Sequence, residues 1–115
     1  LDITDNPFRE AVKQWGADFQ IGMVAEEVGE LLSALSKFKR GRIRPMELAS
    51  EIADVQIMLE QIPHIIAYLT SERVTASNFE VWVDECRRTK LERLCGLLGV
   101  KYEQPEIPFK EQVSL

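Results

Sequence analysis

The sequence predicts an all-α chain built on an antiparallel two-helix hairpin. Three observations predict it. Apolar residues recur at helical spacing over two long runs, Pro, Gly and capping residues punctuate those runs, and no stretch alternates with the two-residue period of a strand. Two long helices and a shorter partner leave part of the hairpin's apolar surface uncovered, so a second subunit is expected to complete the bundle.

The elements follow in order. Asn6 can cap a first helix, with Pro7 at the position where a missing N–H costs nothing; that helix ends near Gly16. Asp18 is the candidate cap of a second helix over 19–39, with Ile21, Val24, Val28, Leu31, Leu32, Leu35 and Phe38 at helical period. Lys37, Lys39 and Arg40 suit the negative end of its dipole, and Gly41 is a natural stop. After a short basic loop, Pro45 opens a third helix carrying Leu48, Ile52, Val55, Leu59 and Ile62 on one stripe. Pro63 is expected to kink or break it before Ile65, Ile66, Tyr68 and Leu69.

Thr70 to Ala76 reads as a loop, and Ser77-Asn78-Phe79-Glu80 as a capping box opening a last helix to about Leu98. Pro105 and Pro108 make 99–115 an extended arm. The 115 residues fit one domain, with its core over 19–98.

Composition narrows the function classes. An apolar share of 45% with 29% charged residues is globular rather than disordered. The net charge of -5 argues against non-specific duplex nucleic acid as a partner. No apolar run approaches the ~20 residues of a membrane span, so no membrane partner is expected. Cys86 and Cys95 lie nine apart on one helix, roughly 13 Å along its axis, too far for a mutual disulfide. Unpaired thiols fit a reducing, cytoplasmic setting.

The acidic residues carry the chemistry. At about 100° per residue, Glu27 falls inside the apolar stripe of Val24, Leu31, Ala34 and Phe38, with Glu30 at its edge and Glu26 further out. On the third helix Glu51 is embedded among Val55, Met58 and Ile62, and Asp54 borders them. A lone glutamate on a helix is ordinarily a solvated charge. Two pairs set into facing apolar stripes are different, because unpaired buried carboxylates are costly and like charges at close range raise each other's pKa. A divalent cation resolves the conflict. All-oxygen donors favour Mg²⁺, Mn²⁺ or Ca²⁺ over zinc, and each i,i+3 pair aims two donors into one space.

The stretch Glu26-Glu27-Val28-Gly29-Glu30, followed after residues 31–50 by Glu51-Ile52-Ala53-Asp54, resembles the MazG-like all-α NTP pyrophosphohydrolases. Their pattern is E-E-x-x-E, a helix-turn-helix interval, then E-x-x-D. The resemblance covers residues 19–69 well and the last helix loosely. It implies hydrolysis of a nucleoside or deoxynucleoside triphosphate between the α and β phosphates, with Mg²⁺ (or Mn²⁺), to monophosphate and pyrophosphate. By position, Glu27, Glu30, Glu51 and Asp54 would be the metal ligands, and Glu26 would orient or deprotonate the attacking water. A homodimer or a homotetramer of two dimers is also implied. Phosphoribosyl-ATP pyrophosphohydrolase, which resembles this superfamily, is an alternative reading; a catalytically silent helical dimerisation module is another.

A triphosphate needs cationic partners besides the metal. Lys90 and Arg93 share a face of the last helix at i,i+3 and are the candidate phosphate-binding residues. Lys37, Lys39, Arg40, Arg42 and Arg44 around the hairpin loop are weaker candidates, with dipole compensation and solubility as their plainer role. Trp15 is a candidate base-stacking residue, as is Phe19, with core packing as the plainer role for both. Gln14 and Gln20 are weaker candidates for reading a base edge, and His64, after a proline, reads as structural. The chain has no Gly-rich phosphate loop and no zinc-type Cys/His spacing.

Overall fold

A computed structural model describes residues 6–103. Four α-helices account for the regular structure, with no strand among the described residues: α1 (Pro7–Trp15), α2 (Ala17–Lys39), α3 (Pro45–Leu69) and α4 (Ala76–Leu98). The chain falls into two compact units, one up to Glu80 and one from Val81 onward. Residues 104–115, most of the expected C-terminal arm, lie outside the described residues, and 101–103 are irregular.

In the first unit α2 and α3 form the hairpin, and α1 packs against both. The Asn6 side chain accepts hydrogen bonds from the N–H groups of Phe8 and Arg9 at 2.9 and 3.2 Å, as the capping pattern requires. One residue joins α1 to α2. Gly16, at φ 90° and ψ 152°, donates its N–H to the Val12 carbonyl at 2.8 Å, and its own carbonyl takes the Gln20 N–H at 3.1 Å. That backbone conformation is essentially closed to residues with a Cβ. The α2 start therefore moves to Ala17, and Asp18 sits in the first turn instead of capping it.

At the hairpin loop, Gly41 (φ 71°) donates to the Phe38 carbonyl and Arg42 to that of Lys37, a Schellman closure. The same closure ends α3 without glycine. Ser71 and Glu72, at φ 52° and 64°, donate to Tyr68 and Ala67. Thr70 Oγ1 holds that turn, donating to the Ile66 carbonyl at 2.9 Å and accepting from the Val74 N–H at 3.1 Å. The chain then meets α4 at Thr75, whose hydroxyl accepts from the Asn78 N–H at 3.1 Å. The cap is thus Thr75; Ser77 is already helical.

Pro63 does not end α3, which runs through it to Leu69. The ring removes one intrahelical hydrogen bond. Burial outweighs that loss: Gln61, Pro63, Ile65 and Ala67 are all buried, an all-round enclosure produced by α1 and α2 together. The core proper is Val12, Ala17 and Ile65, with Val24 packed against it, at the end of the hairpin that α1 covers.

Beyond that end, the helices show much of their apolar stripe to solvent. Leu32, Leu35 and Phe38 on α2, and Ile52 and Leu59 on α3, are exposed in the single chain. In the second unit α4 contributes no buried residue, and the cysteines are free. No described helix is long and apolar enough to cross a membrane.

Candidate metal centre

The hairpin brings Glu27 of α2 together with Glu51 and Asp54 of α3. One carboxylate oxygen from each lies within 4.8 Å of the other two. Glu27 and Glu51 are half-buried and Asp54 is exposed. Helical period explains the convergence: Glu51 and Asp54 sit one turn apart on a single face, opposite Glu27 across the helix–helix seam.

Two oxygens of this set are anomalous. Glu27 Oε2 and Glu51 Oε2 are buried and have no hydrogen-bond partner. A buried acceptor left unmatched costs about 1–3 kcal/mol, and more when it is charged. The electrostatics agree. The Glu27 pKa is raised, first by burial, then by the charges of Glu30 and Asp54, by carboxyl contact with Glu30 and by the charge of Glu51. Oxygens on opposite sides of one Mg²⁺ or Ca²⁺ stand about 4–5 Å apart, the same span as this cluster. Hard oxygen donors with orphaned lone pairs fit such an ion.

The remaining expected site residues are distributed differently. Glu30 is exposed and acts on Glu27 directly, beside the group of three and not within it. Glu26 is exposed on α2. Lys90 and Arg93 are exposed on α4, in a shallow depression shared with Cys86 and Thr89. Trp15 and Phe19 are 60% and 58% exposed, so neither packs in the core of this chain. Val12 and Ala17, on either side of the Gly16 link, join Ile65 in the small core instead.

Gln20 is buried and donates from Nε2 to the Ala11 carbonyl at 3.4 Å, fastening α2 to α1. His64 stacks on Phe8, ring centroids 6.5 Å apart, in keeping with its structural reading. Gln61 is the buried polar residue that sequence reasoning missed. Its Nε2 meets the Met58 sulfur at 3.7 Å, and its Oε1 has no hydrogen-bond partner. The signal was present: Gln61 lies seven residues past Asp54, on nearly the same face of the helix.

Comparison with known proteins adds no family. No protein-family model matches the chain, nor does any curated protein or solved structure.

Proposed function

We propose that this chain is a metal-dependent nucleotide pyrophosphohydrolase, cleaving a nucleoside triphosphate between its α and β phosphates. The observation that carries the reading is the carboxylate group Glu27, Glu51 and Asp54, with two buried oxygens lacking partners. The MazG-like spacing of Glu26-Glu27-x-x-Glu30 and Glu51-x-x-Asp54 supplies the reaction class.

Glu27, Glu51 and Asp54 would hold the ion, with Glu30 able to join by a side-chain rotation. When bound, Mg²⁺ or Mn²⁺ would supply charge neutralisation at the phosphates and lower the pKa of water. Glu26, exposed and adjacent, would accept the proton of the attacking water. The exposed apolar residues of α2 and α3 support a homodimer or larger homo-oligomer as the working state.

The test is release of pyrophosphate from a panel of NTPs, dNTPs and phosphoribosyl-ATP, with Mg²⁺ and with chelator, in ¹⁸O-labelled water. Label in the nucleoside monophosphate, dependent on metal, is expected. Label in orthophosphate would place the attack elsewhere, and no metal-dependent turnover across the panel would leave the helical module as the reading.

A further inference from the structure

A second concave region, open to solvent, lies at the other end of α3 within the first unit. There a cavity of about 430 Å³ opens between α1, the last turns of α3 and the start of α4. His64, ten residues beyond Asp54, stands about 15 Å further along the helix axis than the carboxylate group. The volume is in the range of small-molecule sites.

Its chemistry is the reverse of the metal centre's. Arg9 and Lys13, at i,i+4 on α1, both line it. Like charges at that spacing repel by a few tenths of a kcal/mol in an isolated helix. Lys13 has Glu10 at 3.9 Å, an exposed and strongly screened pairing. Hydroxyl groups complete the donor set, from Tyr68 on α3 and from Thr75 and Ser77 at the start of α4. The Phe8 ring, stacked on His64, fixes one wall. Glu72 is the one acidic residue in the lining, so two cations face one carboxylate in a chain whose net charge is -5.

We infer that this cavity binds the phosphate group of a small ligand, either free phosphate or an organic phosphate. A tetrahedral oxyanion offers several acceptor oxygens, which matches two side-chain cations together with hydroxyls from α3 and α4. The backbone adds to them, since the first turn of α4 gives the N–H groups of Ala76 and Ser77 no intrahelical acceptor. The turn that carries Glu72 is strained at two consecutive non-glycine residues, Ser71 and Glu72, and the Thr70 hydroxyl network holds it there. That network fixes the Thr75 end of the cavity before any ligand arrives. The inference is independent of the proposed hydrolase activity.

The test is titration of the metal-free full chain with inorganic phosphate, pyrophosphate and a nucleoside monophosphate, against chloride at equal ionic strength. The readout is the backbone amide resonances of Ala76 and Ser77. Saturable shifts beyond the chloride control are expected. They should weaken at least tenfold in an Arg9→Gln, Lys13→Gln double variant whose helical circular dichroism is unchanged. Glu72→Gln should tighten binding severalfold. The tightest of the three anions identifies the source of the phosphate. Shifts absent or reproduced by chloride, shifts retained by the double variant, or affinity not raised by Glu72→Gln would each overturn the assignment.

Discussion

The two ends of the α2–α3 hairpin carry similar apolar patterns and meet opposite fates. Where α1 covers it, α3 is enclosed from Gln61 to Ala67, tolerates an internal proline and holds the core residue Ile65 at 2% exposure. Away from α1, Leu32, Leu35, Ile52 and Leu59 stand 41–63% exposed on the same two helices. Periodicity tells which face of a helix is apolar. It does not tell which partner covers that face: α1 encloses one end, and beyond it Ala34, Val55 and Met58 are buried while their larger apolar neighbours stay exposed.

Breaking the enclosed end should have the largest effect. Ile65→Ala is expected to cost about 2–5 kcal/mol in chemical denaturation, because packed neighbours on α1 and α2 cannot fully collapse into the gap. Leu35→Ala, in the open region, should cost under about 1 kcal/mol in the monomer and instead weaken self-association in sedimentation equilibrium. Equal unfolding penalties at the two positions would erase the distinction between the ends.

The carboxylate group lies within the open stretch of the hairpin, and the next effect belongs to it. If the proposed site holds a cation, Mg²⁺ or Mn²⁺ should raise the melting temperature through preferential binding to the folded chain, and Glu51→Gln should remove that rise. It should also lower pyrophosphate release by more than the about 10–100-fold that loss of an indirect metal partner costs. A metal-induced shift of unchanged size would remove Glu51 from the ligand set.

Much of this arrangement was legible in the sequence, for reasons that differ by residue. The Asn6 cap, Pro7 and the Gly41 closure are local devices, decided by a few neighbouring atoms, and they stand where the pattern places them. Glu27, Glu51 and Asp54 converge because helical period and a short hairpin loop leave little freedom. The failures involve competition between candidates or tertiary cover. Gly16 displaced Asp18 as the start of α2, and Thr75 displaced Ser77 because the Thr70 network delivers it to the helix first. Pro63 remained helical because two helices enclose it, which no local rule registers.

A smaller effect should come from the terminus of the covering helix. Asn6→Ala removes two capping hydrogen bonds and is expected to cost about 1 kcal/mol. Because α1 encloses one end of the hairpin only, amide exchange should quicken at Ile65 and Ala67 and stay unchanged at Leu32 and Leu35. Equal quickening at all four would mean that α1 stabilises the hairpin globally.

The subtlest effect is the pH dependence of Glu27, and its sign is fixed by linkage. The carboxyl titrates from 4.5 in the unfolded chain and from a raised value in the folded one. Below 4.5 both states hold the proton, and its contribution to folding is fully present. As pH rises, the unfolded chain releases the proton first, and that contribution is lost through the raised folded pKa. With chelator, wild-type stability should therefore fall relative to Glu27→Gln between pH 4.5 and neutrality, so the variant gains on it with rising pH. Adding Mg²⁺ at neutral pH should reverse the ranking, because the cation rewards the ionised carboxylate that glutamine lacks. Melting curves of the two proteins at several pH values, with and without metal, decide this. A stability gap independent of pH would mean that neither burial nor the neighbouring carboxylates bear on Glu27, and would remove the electrostatic argument for a cation there.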